Sequence, residues 1–268
     1  MCGVFGFFAN GDQAPNLKRI KELAVATEQR GPDAFGFAWI DAAGRLRAYK
    51  SPGRISEHLD LLDLASEARV FIGHCRWATH GDPAVNGNNH PHPCDGGWVV
   101  HNGVLHDHAE LVERYDLHPI SDCDSEAIAL LIEDADQSTL MGRVVAALKR
   151  VGESPLVVLG VWKPDSLIVA RSGNPLWMAE TNRGMYFASR AKGLPGTAEI
   201  VPDETVLHLT GSGKEGIEIK RASLRACPLP ARPAVKSPVK SSVKSELLGG
   251  TAYQGSPTVP WYKAHREN

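Results

Sequence analysis

The chain opens Met1-Cys2-Gly3. A small penultimate residue permits removal of the initiator methionine, which leaves Cys2 with a free α-amine. Nucleophile and base then belong to one residue. The amine titrates near about 7.7–8.0, so at neutral pH part of it is uncharged and can take a proton, directly or through a water. This is the N-terminal form of nucleophile activation. A retained Met1 would acylate the base and abolish the chemistry. A cysteine near a terminus is more often a small buried hydrophobe, so the remaining polar motifs have to decide.

Four segments bear on that decision. Arg30-Gly31-Pro32-Asp33 follows a helical stretch and forms a tight turn with charges at its edges; its plainer reading is a helix stop with a surface ion pair. Gly73 to Pro83 follows an apolar run and includes Arg76, Trp77, Thr79 and His80. An arginine at the end of a buried strand suits two-pronged recognition of a carboxylate. In His101-Asn102-Gly103 an apolar run is broken by Asn-Gly, ordinarily a hairpin turn. The Asn102 amide and the Gly103 N–H would equally suit an oxyanion hole, with donors fixed where negative charge develops. Ser121 to Glu126 precedes a helix and reads first as a capping sequence, although Asp124 there suits a substrate ammonium.

The histidines raise a competing possibility. His90, His92, His101, His106 and His108, with Cys94 and Asp107, are numerous enough for a zinc hydrolase. Their spacing matches no metal signature, however, and the prolines at 91 and 93 are expected to splay alternate side chains apart. No metal and no cofactor is expected.

Elements of mixed type must hold these segments. Nine short strands are predicted, at Val4–Phe8, Ala34–Ile40, Arg45–Tyr49, Val70–His74, Trp98–His101, Leu156–Trp162, Leu167–Ala170, Met185–Ala188 and Thr205–Leu209. Helical spacing appears at Leu17–Gln29 after Asn16, Glu57–Ala68, Ala109–Tyr115, Ser125–Glu133 and Thr139–Val151. Strands in succession, interrupted by helix pairs, predict mainly antiparallel sheets with helices outside them, an α+β fold.

The 268 residues are 43% hydrophobic and 22% charged, enough to bury a large core without staples. A net charge of −2 gives no reason to expect nucleic acid or an anionic membrane. No apolar run approaches the roughly 18 residues that span a bilayer, and five scattered cysteines without a CxxC pair fit a reducing cytoplasm. From Arg221 onward the chain carries +6 and the remainder −8. With the repetitive Val235–Ser245 stretch this marks residues 228–268 as a disordered basic linker or tail after a domain at 2–227. Trp261 and Tyr262 near the end would suit either a docking peptide or a frayed terminus.

In order and type, Met1-Cys2-Gly3-Val4, Arg30-Gly31-Pro32-Asp33, Gly73–Pro83 ending in His90-Pro91-His92, His101-Asn102-Gly103 and Asp124-Ser125-Glu126 resemble the class II, N-terminal-nucleophile glutamine amidotransferase domain, most closely the glutaminase half of glucosamine–fructose-6-phosphate aminotransferase. Ala170–Leu176 is a weaker sixth match. The likeness covers about residues 2–210. It implies a four-layer αββα sandwich of two antiparallel sheets, with the N-terminal residue at a strand end between them. It also implies Cys2 as nucleophile, Asn102 and Gly103 as oxyanion hole, Arg76 and Asp124 as grips for the α-carboxylate and α-ammonium of L-glutamine, and Trp77, Thr79 and His80 in a loop that closes over it. Arg-Gly-Pro-Asp looks more like asparagine synthetase and Arg-Trp-Ala-Thr-His-Gly more like the hexosephosphate enzyme, so the ammonia acceptor is not legible. With about 58 residues after position 210, the expectation is a glutaminase subunit serving a separate synthase. An amide hydrolase for another small amide and a non-catalytic glutamine-binding regulator are the alternatives.

Overall fold

A computed structural model describes residues 2–211 and 216–225 of the chain. In chain order the elements are β1 (Gly3–Ala9), α1 (Leu17–Glu28), β2 (Ala34–Asp41), β3 (Leu46–Pro52), β4 (Ala68–Arg76), β5 (His92–Cys94), β6 (Gly97–Gly103), α2 (His108–Arg114), α3 (Glu126–Glu133), α4 (Leu140–Val151), β7 (Leu156–Trp162), β8 (Ser166–Ser172), β9 (Trp177–Thr181), β10 (Gly184–Ala188), β11 (Glu199–Ile200), β12 (Thr205–Thr210) and β13 (Glu218–Ser223). They make two sheets, ordered β11-β9-β10-β1-β4-β2-β3 and β13-β12-β8-β7-β6-β5. Every pairing is antiparallel.

Strand β1 reads Gly-Val-Phe-Gly-Phe-Phe-Ala without polar alternation because both of its faces are covered. Phe5 and Phe7 join Ile20, Leu23 and Ala24 of α1 in the outer core of the first sheet. On the other face Gly6 meets Leu159 of β7: a Cβ there would lie 3.3 Å from Leu159 Cδ1. The second sheet packs its outer face on α3 and α4 through Val99, Val158, Ile168, Ala170, Ile128, Leu131 and Leu148. Helix, sheet, sheet and helix therefore stack as the four-layer αββα sandwich that the motifs imply. Asn16 and Thr139 cap α1 and α4, accepting from Arg19 N and Gly142 N.

All nine predicted strands are present; β5, β9, β11 and β13 were not foreseen. The first carries a proline, and the last two are short or exposed edges with little apolar pattern. The helix expected over Glu57–Ala68 is instead two 3-10 turns, Ile55–Glu57 and Leu59–Ala65, and Ala68 already begins β4. Local polar bonds account for the change. The buried Glu28 carboxylate accepts from Ser56 N at 2.7 Å and Ser56 Oγ at 3.0 Å, and the His58 ring stacks on Phe35, which interrupts the helical path between the turns. The expected basic tail, 228–268, lies outside the described residues.

One contact tests the packing of β1 against β4. Phe5 and Gly73 are paired across the two strands, and a Cβ on Gly73 would fall 2.4 Å from the Phe5 ring. Gly73→Ala is expected to destabilise the domain by about 1–3 kcal/mol through overpacking. A Phe5→Leu, Gly73→Ala pair should lose less than the sum of the two single variants in urea unfolding; strict additivity would mean the ring and the glycine do not depend on each other.

Candidate active site

Cys2 stands one residue ahead of β1, and two backbone contacts define its place. Its carbonyl accepts from Arg30 Nε at 2.8 Å, and its sulfur lies 3.3 Å from Trp77 N and 3.4 Å from Trp77 O. The second strand contact follows from register, because Gly3 pairs with Cys75 and the next residues of β4 run straight into Trp77. Only glycine fits at position 3, where a Cβ would lie 2.5 Å from Thr27 Cγ2. Burial pushes the Cys2 thiol above its ordinary range. The Trp77 N–H and the charge of Arg76 pull it back in part, while Asp124 adds to the rise. A thiol in this setting is protonated at rest and needs a base.

The turn at residues 30–33 is a brace. A Cβ on Gly31 would stand 2.3–2.6 Å from backbone atoms of Arg76 and Trp77, so bare backbone is packed on backbone there. Asp33 then fastens the start of the loop: its N–H donates to Arg76 O at 3.0 Å and its Oδ2 accepts from Ala78 N at 2.8 Å. Arg30, Gly31 and Asp33 thus hold both Cys2 and the peptide facing it.

Arg76 is 2% exposed and already hydrogen-bonded. Nη1 donates to Asn89 Oδ1 at 2.9 Å, and Nη2 donates to the carbonyls of Gly81, at 3.0 Å, and His80. These bonds curl residues 77–91 around the guanidinium. Asn89 Nδ2 donates to Pro83 O, and Asn88 ties the same loop to Asp122, accepting from Asp122 N at 2.9 Å. At the loop surface Trp77 is 51% exposed and Thr79 is exposed, while His80 is half-buried with Nδ1 3.8 Å from Asp124 Oδ1. Asp124 is buried, and its Oδ2 accepts from Leu105 N at 2.7 Å.

Asn102 is fully buried and neither its Oδ1 nor its Nδ2 has a protein partner among the described residues. Its own carbonyl accepts from Asn174 Nδ2 at 3.0 Å, which also donates to Pro155 O and so clamps the end of β6 from the β8–β9 turn. Strand β5 stops pairing at Val99, leaving one edge of β6 open beyond it. On that edge His74 Nε2 lies 2.9 Å from His101 O. The two-residue period of an antiparallel strand turns the Gly103 N–H to the same open edge, away from the Asn102 carbonyl. A buried, unpartnered amide followed by an edge-facing N–H is a pair of donors available to an anion.

Several positioning residues escaped the sequence reading. Asn89 and Asn174 carry no motif beyond their neighbours, and Ser189, whose Oγ accepts from Val4 N at 2.9 Å, is 185 positions away from its partner. Lys50 is buried and donates to Asn89 O at 2.6 Å and Pro91 O at 3.1 Å; burial lowers it to about 7. The histidines also differ from expectation. The prolines do not splay them: His90 lies between His74 and His92 with ring centroids 3.8 and 4.7 Å away, the second pair edge to face, and His101 Nδ1 lies 2.8 Å from Ser125 Oγ. Cys94 points elsewhere, to Ala129 O under α3.

Four buried imidazoles make a prediction about acid stability. Burial holds His74 down to about 3 and His101 to about 4, and keeps His90 and His92 well below 6.5. The unfolded chain takes these protons near pH 6.5 and the folded one does not, so stability is complete above 6.5 and falls as pH drops below it, by up to about 1.4 kcal/mol per pH unit for each histidine. The urea midpoint is expected to fall steeply between pH 6.5 and 5, before carboxylates titrate; an unchanged midpoint over that window would contradict the buried neutral cluster.

No family model matches the chain. It is 34% identical over 209 residues to glutamine–fructose-6-phosphate aminotransferase of Symbiobacterium thermophilum, covering 75% of this chain and 34% of that protein. To the protein of the same name from Aeropyrum pernix it is 36% identical over 193 residues, covering 66% of this chain and 30% of the relative. The chain thus spans about a third of the length of the curated relatives it matches. Among solved structures, glutamine phosphoribosylpyrophosphate amidotransferase from B. subtilis aligns over 82% of this chain and 49% of its own, with a TM-score of 0.67 and 22% identity. A glutamine aminotransferase class-II domain protein from Silicibacter pomeroyi aligns over 82% of this chain and 98% of its own, with a TM-score of 0.58 and 15% identity. The structural likenesses establish the sandwich, and the sequence relatives, with the ordered motifs, establish its kind: the chain carries an enzyme domain of the class II, N-terminal-nucleophile glutamine amidotransferase family, similar to glutamine–fructose-6-phosphate aminotransferase.

Proposed function

We propose that this domain releases ammonia from the side-chain amide of L-glutamine, with Cys2 as nucleophile. The observation that carries the reading is the fixed position of Cys2, its carbonyl on Arg30 and its sulfur against the Trp77 peptide. With Met1 removed, the α-amine of Cys2 takes the thiol proton as sulfur bonds to the amide carbon. The carbonyl π electrons move to oxygen, where Asn102 Nδ2 and the Gly103 N–H receive the charge. The C–N bond then breaks, the ammonium returns its proton to the leaving nitrogen as ammonia, and a γ-glutamyl thioester remains. Water, deprotonated by the same amine, attacks the thioester to give glutamate and regenerate the thiol.

Recognition falls to charged groups around the loop. Asp124 supplies a carboxylate for the substrate α-ammonium, and Arg76 the cation for its α-carboxylate. Because Nη1 and Nη2 of Arg76 already bind Asn89, His80 and Gly81, the same guanidinium couples the substrate to the shape of the 77–91 loop. Trp77, Thr79 and His80 then lie where a loop closing on glutamine would exclude water. The resting thiol, held protonated by burial, limits reaction with other electrophiles until an acceptor of its proton is in place.

The ammonia is proposed to serve a separately encoded synthase. A protein that co-purifies with the chain and uses its glutamine-derived nitrogen would bear it out; release of free ammonia as the sole product in the presence of every co-purifying protein would count against it.

For the chemistry itself, Cys2→Ser is expected to reduce glutamate release to background. Asn102→Ala should lower kcat by about 100- to 1,000-fold, the effect of losing one oxyanion donor. Unchanged turnover in either variant removes the corresponding assignment. Arg76→Lys keeps the charge but loses the planar fork, so KM for glutamine should rise more than kcat falls, and equal KM values would take Arg76 out of the substrate site.

A further inference from the structure

Behind the proposed glutamine site a second group of reactive side chains has no part in that chemistry. His90 and His92 flank Pro91 at the end of the 77–91 loop, and Cys123 precedes Asp124 in the segment leading to α3. One ligating atom from each lies within 4.8 Å of the others, and all three residues are buried. Both ring nitrogens of His90 and Nε2 of His92 lack a protein partner among the described residues. A buried polar atom left unbonded costs about 1–3 kcal/mol, and each of the two rings offers such an atom beside the Cys123 sulfur.

The chemistry of the set selects its class. A neutral imidazole offers a lone pair to a metal ion, and His90 and His92 each present a ring nitrogen to the cluster. The third donor is sulfur. Neutral imidazole with thiolate favours a borderline-soft cation over calcium or magnesium, which take oxygen. Tetrahedral zinc, with bonds of about 2.0–2.3 Å, needs its donors roughly 3.3–3.7 Å apart, a modest contraction from the present spacing. We propose that His90, His92 and Cys123 form a zinc site that ties the 77–91 loop to the Asp124 segment. Binding replaces the Cys123 S–H bond by a Zn–S bond and releases one proton to solvent, and the thiolate offsets one of the two charges brought in. No electron is transferred. The site differs from Cys2 in every ligand, so the assignment stands independently of the glutaminase reading.

The test uses the full chain purified without a histidine tag, stripped with a chelator and dialysed against a fixed free concentration of Zn²⁺, followed by metal analysis. About one ion per chain is expected in the parent, falling to background in Cys123→Ala and in His92→Gln and persisting in Cys2→Ala. With Co²⁺ as probe, a thiolate-to-cobalt charge-transfer band should appear in the parent and in Cys2→Ala and be absent from Cys123→Ala. Circular dichroism of the metal-free proteins checks that each variant folds, and two variants on separate segments guard against one failing. No retained metal in the parent, retention at the parent level in both cluster variants, or loss in Cys2→Ala would overturn the proposal.

Discussion

The placement of the first strand governs this molecule. Strand β1 lies between β4 and β10 in the middle of a seven-stranded sheet, buried on both faces, so the residue ahead of it can neither fray nor wander. Its central position is secured twice over, by the ladder from Gly3 opposite Cys75 to Phe8 opposite Val70, and by Ser189 receiving Val4 N–H. A chain terminus is ordinarily among the least ordered parts of a fold; here sheet formation itself sets Cys2 against the peptide of Trp77. Only then can the Arg30 guanidinium and the Gly31 backbone close around it.

Burial has opposite consequences on the two sides of this arrangement. It raises the Cys2 thiol and thereby ties reactivity to a base within reach, which the same residue's amine provides. It lowers four histidines and one lysine, so the region between the sheets is held largely uncharged and depends on carbonyls and hydroxyls for its polar contacts. The single Lys50 ammonium and the Arg76 guanidinium both reach Asn89, one through its carbonyl and the other through its amide oxygen. Asn89 therefore joins the loop bearing Trp77 and His80 to the core of the first sheet, although it would touch no substrate.

Much of this was legible in the residues. Apolar runs such as Val4–Phe8 and Leu156–Trp162 read as strands because continuous β-rich segments of that length suit sheets covered on both faces, and Asn16 marked a helix start by its capping chemistry. The helix expected over Glu57–Ala68 misled because short apolar spacing does not distinguish an α-helix from successive 3-10 turns; the deciding bonds come from Glu28, about 30 positions away. The polar motifs disclosed which residues carry charge at the site but not how they are used. Arg76 looked like a free fork, yet its bonds to the 77–91 loop are visible only once that loop is folded. The histidine cluster was illegible for the same reason, since Cys123 comes beside His90 and His92 through the packing of two distant segments.

The most direct measurement of the central claim is the intact mass of the purified chain before and after incubation with a glutamine-analogue electrophile such as diazo-oxo-norleucine. The account predicts a mature chain lacking Met1 that gains a single adduct, mapped to Cys2 and prevented by excess glutamine. A chain that retains Met1, or an adduct that forms elsewhere or is indifferent to glutamine, would contradict it.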